Sequence, residues 1–365
     1  MNIKTHLPVV LTLDAGGTNF VFSAMKDGEE IVDSVHMDSS ADDLQKCIKT
    51  LKDGFREVIS QLSDKPEAIS FAFPGPADYP RGIIGDLPNL PAFRGGVPLG
   101  PKLSEEFKIP VFINNDGNLF TMGEYYGGML PSINNLLKES GSTKKYENLI
   151  GVTLGTGFGG GLVVGGNLIM GDNSNAGEFW SLRNKLYPQS NVEESIGSRA
   201  LSRKYCKYSG TEKVYSAKDL FEIAIGIKEG NKEASLKAFA EMAMVLGDTL
   251  ANLVNIFDGL IVMGGGISSS HALFMDVVLN EMNGKLTNSD GSVYSRMIST
   301  AYNLEKPDQI EDFIHGGQKL IDANGLGKLI YNASPVTGIG ISKLGTNRAI
   351  SLGAYFWAVR KLAEY

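Results

Sequence analysis

A strand, a glycine turn and a second strand occur twice in this chain, and few folds accommodate that repeat. Leu7–Asp14 (LPVVLTLD) reads as a strand, AGGTN as a tight turn and Phe20–Met25 as the returning strand. After KDGEE, the segment IVDSVHM reads as a third strand of the same meander. At Asn148–Gly155 (NLIGVTLG) the pattern restarts with a TGFGG turn, a GLVVGG strand, a GN turn and a short LIM strand. Gly16 and Gly157 lie 141 positions apart, consistent with one unit used twice.

The second copy contains G-x-G-x-x-G at Gly155, Gly157 and Gly160, a spacing shared by dinucleotide sites and protein-kinase loops. A dinucleotide site needs a helix after the turn, because the helix N-terminus holds the pyrophosphate. Here the turn runs into GLVVGGNLIMG, which is β-branched and interrupted by glycine, so NAD is disfavoured. A protein kinase needs HRD-type and DFG motifs downstream, and the sequence has neither. It has no Walker A loop either. Two hairpin turns remain whose backbone N–H groups suit a polyphosphate. Glycine there allows close approach and positive φ, and Thr18 and Thr156 add hydroxyls. Either turn alone is explained as an ordinary hairpin turn. Both together, with a third glycine turn at Gly264–Gly266, favour phosphate.

Asp42–Leu62 carries apolar residues at helical spacing. Ala68–Gly75 (AISFAFPG) and Ile109–Asp116 (IPVFINND) read as strands, and a helix follows the second. Further helical patterns span Lys218–Lys228, Asn231–Asn255, Ala272–Met282 and Ile350–Tyr365, and GLIVMGGGISSS (Gly259–Ser270) is a strand entering a glycine turn. Asn288–Thr346 carries no readable pattern. The expectation is an α/β protein of two layered domains separated by a cleft, which 365 residues allow. A formal charge of −7 argues against a broad nucleic-acid surface. No stretch approaches the ~20 apolar residues of a membrane span. Two distant cysteines, Cys47 and Cys206, suggest reduced thiols in a cytoplasmic protein and neither a disulfide framework nor a structural zinc site.

Seven motifs occur in order: DAGGTN (Asp14–Asn19), PGPAD (Pro74–Asp78), LPNLP (Leu87–Pro91), NNDGN (Asn114–Asn118), GTGFGGGLVVGGNLIMG (Gly155–Gly171), NAGE (Asn175–Glu178) and VMGGGIS (Val262–Ser268). Together they resemble the ROK family of bacterial sugar kinases, in the actin-like ATPase superfamily. The resemblance implies two ribonuclease-H-like domains closing on ATP-Mg²⁺ and a sugar, with the final helix packed on the first domain. The expected division is 1–115 plus 350–365, and 116–349. The resemblance places Gly16, Gly17, Thr18 and Asn19 in a first phosphate turn and Gly155, Thr156 and Gly157 in a second. It gives Asp14 a role toward Mg²⁺, directly or through water, and Gly264, Gly265 and Gly266 the adenine-ribose pocket. Sugar contacts fall to Gly75, Asn89, Asn115, Asp116, Glu178 and Glu193. Asp116 takes the role of catalytic base toward a hydroxyl of a hexose or N-acetylhexosamine. Family members are often dimers or higher homo-oligomers.

Three positions have plainer explanations. An Asp after a strand and before a helix is an ordinary N-cap, which competes with catalysis for Asp116. Glu178 reads equally as an exposed loop carboxylate, and Trp180 as core or as a platform for an apolar sugar face. The alignment of Glu193 rests on VEESIGSRAL and leaves Glu194 as the alternative. Many family members carry a His soon after the NAGE-like residues and then a zinc-holding cysteine cluster. Here Phe179, Trp180 and Ser181 follow Glu178, and YPQSNVEESIGSRAL has no cysteine, so zinc is not expected. The family also includes sugar-sensing repressors, whose helix-turn-helix precedes the first phosphate turn. A first strand near Leu7 leaves no room for one. A non-catalytic actin-like ATP-binding protein is the remaining alternative, disfavoured by Asp116 and the carboxylates.

Overall fold

The structure is a computed structural model that describes residues 7–16, 18–40, 42–87, 92–322, 325 and 327–364. Gly17 and Asn89 lie outside the described residues, as does most of LPNLP. The chain divides into two compact units. The first comprises residues 1–128, 168–177 and 344–365, the second 129–167 and 178–343. The fold is mixed α/β, with one six-stranded sheet in each unit and, among the described residues, three two-stranded hairpins besides.

In the first unit, β1 (Val10–Ala15) pairs antiparallel with β2 (Asn19–Lys26), through the turn at Gly16. Of the expected third strand, Ile31–Met37, only the part from Val35 is strand, and the expected turn KDGEE ends in a short strand of its own. β3 (Glu29–Glu30) and β4 (Val35–Asp38) each pair with a different part of β2. The Ile31 N–H still donates to the Ala24 carbonyl at 2.9 Å, and the stretch 32–34 beyond it is largely exposed. On the other side of β1, β5 (Ala68–Ala72) and β6 (Val111–Asn114) continue the sheet in parallel. Strand alternation sends Leu11, Leu13, Phe22 and Phe71 into one core, where the helix Leu44–Ser60 adds Leu51, Phe55 and Val58.

The opposite face holds Val10, Met25 and Ala68 against Leu352, Tyr355 and Ala358 of the final helix, Thr346–Leu362. That helix crosses the helix Asp116–Tyr126 at backbone contact. A Cβ on Gly353 would stand 1.8 Å from the Leu119 carbonyl oxygen, and one on Gly123 1.9 Å from that of Ala349. This crossing explains why the expected boundary at 115/116 differs from the observed division. The helix that follows β6 is bound into the first unit, and the chain leaves that unit near Gly128.

The second unit repeats the opening. β7 (Asn148–Leu154) and β8 (Phe158–Val164) form the antiparallel hairpin, with β9 (Asn167–Leu168) beyond β8 at the edge. β10 (Leu260–Gly264) lies parallel to β7. The stretch that carried no readable pattern completes this sheet. β11 (Thr300–Asn303) and β12 (Val336–Ile341) are parallel, with β12 inserted between β10 and β11. The likeness of the two halves therefore runs through the meander and the first parallel strand. The long helix Lys232–Phe257 packs on this unit with 15 buried residues along it. Residues 266–273, expected in part as α-helix, wind as a 3₁₀ helix before the α-helix Met275–Met282. No helix among the described residues is long and apolar enough to cross a membrane.

Candidate active site

In the first unit the candidate residues gather where three adjacent parallel strands end. Asp14 is near the end of β1, Gly75 follows β5, and Asn115 and Asp116 follow β6. The ends are tied together, since the Phe73 N–H donates to the Asn114 carbonyl at 3.0 Å. Asp14 is half-buried, and loss of hydration raises its pKa. Gly16 does not adopt the positive φ expected of it. Glycine is required there because a Cβ would lie 2.8 Å from the Asn19 carbonyl oxygen. Thr18 and Asn19 are exposed beside it.

The helix after β6 shows which residue is the cap. Asn115 is the N-cap and Asp116 the first helical residue. Both Oδ1 atoms accept from the Gly117 N–H at 2.8 Å. With the cap position filled by Asn115, capping does not account for Asp116. The Asp116 side chain stays open to solvent, yet the protein around it displaces bulk water and raises its pKa against the lowering effect of the Gly117 N–H.

The sequence reading missed the residue that holds this turn. Asn114 is fully buried, and its Oδ1 accepts from the Asn115 N–H at 2.8 Å and from Asn118 Nδ2 at 3.0 Å. Its own amide nitrogen lies 3.4 Å from Met170 Sδ. NNDGN gives no periodic signal for it, because Asn114 ends β6 while Asn118 lies in the helix that follows.

In the second unit the turn Gly155–Gly157 is braced from several sides. The Phe158 N–H donates to Glu193 Oε2 at 3.0 Å, and the Ser198 N–H to the Gly155 carbonyl at 2.9 Å. A Cβ on Gly157 would fall 2.2 Å from Glu193 Oε2, so the carboxylate occupies that space. A Cβ on Gly160 would meet the Phe179 ring at 2.4 Å. The third glycine of G-x-G-x-x-G thus serves packing. Neither Gly155 nor Gly157 has a positive φ, contrary to expectation. A Cβ on Gly155 would meet no protein atom within 4 Å, so nothing in the protein requires glycine there.

Gly264 ends β10 in register with Thr153. Gly265 does need glycine, with φ of 86° and a Cβ position 2.4 Å from the Leu154 carbonyl oxygen. Gly266, like Gly155, has open space at its Cβ position.

The acidic candidates separate clearly. Glu193 is turned onto the second glycine turn, with its Oε1 3.4 Å from Arg199, while Glu194 pairs with Arg203 at 3.0 Å on the same helix, Ser198–Ser209. Glu178 is half-buried and accepts from the Trp180 indole N–H. Trp180 itself is 41% exposed, which removes it from the core. Among the described residues no group of three or more His, Cys, Asp or Glu is placed to hold a metal ion.

Comparison with known proteins fits this picture. The model of the ROK family matches residues 10–303. A glucokinase from Parabacteroides distasonis has a solved structure that is 48% identical, with a TM-score of 0.88 and 99% of each chain covered. An N-acetyl-D-glucosamine kinase from Vibrio cholerae is 27% identical over 284 residues, covering 74% of this chain and 86% of that one. A ROK family glucokinase from Streptomyces griseus, solved in complex with glucose and AMPPNP, is 19% identical with a TM-score of 0.58 over 96% of this chain and 99% of that one. This last likeness shows the fold, that of the actin-like ATPases.

Proposed function

The chain belongs to the ROK family and is an ATP-dependent sugar kinase, and we propose that it phosphorylates a hydroxyl of glucose or a close relative, with Asp116 as the base. The 48% identity to a glucokinase over 99% of both chains supports glucose as the first substrate to test. N-acetylglucosamine is the second, from the kinase of Vibrio cholerae.

One observation carries the catalytic assignment. Asp116 stands at the end of β6 with its cap role already filled by Asn115, on a turn held from beneath by a buried asparagine. An ionised Asp116 accepts the proton of the attacking hydroxyl as that oxygen bonds to the γ-phosphorus and the bond to the β-phosphate oxygen breaks. Such a base contributes typically ~10²–10⁴-fold. Most of the remaining work is positioning and charge stabilisation. In the first unit Gly16, Gly17, Thr18 and Asn19 would bind phosphate oxygens, and Gly75, Asn89 and Asn115 would orient the sugar with Asp116.

The second unit carries most of the remaining candidates. Gly155, Thr156 and Gly157 present the second phosphate turn, and Gly264, Gly265 and Gly266 the nucleoside pocket. Gly155 and Gly266 fit that role because each leaves a cradle that a Cβ would fill. Glu178 and Glu193 bind sugar hydroxyls; Glu193 has acceptor capacity beyond its bond to the Phe158 N–H. Asp14 would hold Mg²⁺, directly or through water, and its raised pKa is what a nearby cation would offset. Bound there, the ion would neutralise phosphate charge. Exposed Leu320 and Ile330 on the hairpin of Gln318–Asp322 and Lys328–Asn332 support a homo-oligomer.

A coupled ADP-release assay over hexoses, 2-acetamido sugars and ketohexoses tests the reading. Glucose-stimulated turnover is expected, and no stimulation by any sugar would overturn it.

A further inference from the structure

Glu193 reaches the second glycine turn only because the loop before it has a fixed shape, and one side chain at its centre sets that shape. Asn184 is fully buried, and all four hydrogen-bonding positions of its amide are filled within the loop. Its Oδ1 accepts from the Leu186 N–H at 2.9 Å and the Tyr187 N–H at 3.1 Å. Its Nδ2 donates to the Asn191 carbonyl at 3.1 Å and to Ser195 Oγ at 2.9 Å. The Asn184 backbone N–H donates to the Ser190 carbonyl at 3.0 Å. One residue thus joins the outgoing strand of the loop, its tip and its return.

The return leg carries the functional group. Asn191 caps the 3₁₀ turn Val192–Glu194 through the Glu194 N–H at 3.3 Å. The Val192 N–H donates to the Leu182 carbonyl at 2.9 Å, which pins the base of the loop. Val192, Ser195 and Ile196 are buried, so the turn has one face anchored and Glu193 on the other. From there Glu193 takes the Phe158 N–H, and Ser198 takes the Gly155 carbonyl.

We propose that Asn184 is a positioning residue: its saturated amide holds the 182–195 loop so that Glu193 braces the Gly155–Gly157 turn. The kinetic part of this inference rests on the reading of that turn as a phosphate site, and the structural part stands without it. A buried amide with every partner satisfied specifies one loop conformation, because any other leaves polar groups unpaired.

The test has two arms. In the ligand-free protein, amide hydrogen exchange is followed at Phe158, Leu186 and Tyr187. Asn184→Ala is expected to speed exchange at all three, with the core strands Asn148–Leu154 and Leu260–Gly264 unchanged. Unchanged protection at Phe158 would overturn the proposal, whether or not the protein is a kinase. In the second arm, kcat/KM is measured for Asn184→Ala, Glu193→Ala and the double variant. Each single change is expected to lower kcat/KM by roughly 10- to 100-fold, chiefly through KM, as small misplacements do. The double variant should match Glu193→Ala within about twofold, because residues acting through one another are not additive. Multiplying losses would mean that Asn184 acts independently, and the proposal would fail. Where Asn184→Ala does not fold, Ser195→Ala removes one of the four bonds and is read in the same way. It should speed Phe158 exchange by a smaller factor, and no change there would also overturn the assignment.

Discussion

Two neighbouring glycines in the second turn should respond in opposite ways to the same added methyl group. In Gly157→Ala the new carbon would stand 2.2 Å from Glu193 Oε2 and 2.9 Å from its Cδ. Carbon contacts settle near 3.5–4.0 Å, so the carboxylate must retreat by about 1 Å or more. It then gives up the Phe158 N–H, now 3.0 Å away. A hydrogen bond to a charged group is worth about 1.5–3 kcal/mol. The Glu193 side chain is 33% exposed, which reduces the expected stability loss to about 1 kcal/mol. That corresponds to a fall in Tm of roughly 2–4 °C. The functional loss should be larger, about 100-fold in kcat/KM, if a displacement of about 1 Å misaligns the turn. In Gly155→Ala the methyl meets no protein atom within 4 Å, and φ at Gly155 lies outside the left-handed region that favours glycine. Its Tm should stay within about 1 °C. Its KM for ATP should rise at least ~10-fold, because the methyl stands where the backbone is to approach phosphate. Thermal melting and steady-state kinetics with ATP varied at saturating glucose read both effects. A Gly155→Ala enzyme with unchanged melting and unchanged KM for ATP would refute the phosphate reading of the turn.

Three further outcomes are expected. The acid limb of kcat/KM should have its midpoint above the usual aspartate value of 3.8, since displaced water raises the Asp116 pKa and the base works only when ionised; a limb at or below the usual value would contradict that assignment. Gly353→Ala should destabilise by about 3 kcal/mol or more, seen as a large loss of Tm, because its Cβ position is 1.8 Å from a backbone oxygen that has no rotamer to escape into. The chain has two tryptophans, so a Trp357→Phe protein reports on Trp180 alone; glucose should change its emission through the Glu178 carboxylate it bonds, and a flat titration alongside normal turnover would remove Glu178 from the sugar site.

The sequence carried much of the fold where periodicity is strong. The two hairpins, the helix after Asp42 and the long helix Lys232–Phe257 were legible because apolar spacing repeats there over many residues. β11 and β12 were not, because four residues (TAYN) and a glycine-interrupted VTGIGI are too short for periodicity to register. At the site the residue types were legible but their reasons were only partly so. Gly157 is glycine because a carboxylate lies over it, and Gly160 because an aromatic ring does; these are contacts between segments distant in sequence. Asn114 and Asn184 escaped notice for a related reason. A buried asparagine matters through the backbone groups it satisfies, and no spacing rule names those groups.

The central claim is that Asp116 does the chemistry and is not a helix cap, and Asp116→Asn tests it most directly. Calorimetric titration of the variant with glucose and with AMPPNP, run beside a turnover assay, separates binding from catalysis. The account predicts affinities within a few-fold of the unaltered protein and a kcat lower by ~10²–10⁴-fold. A variant that binds both ligands and keeps most of its kcat would contradict it.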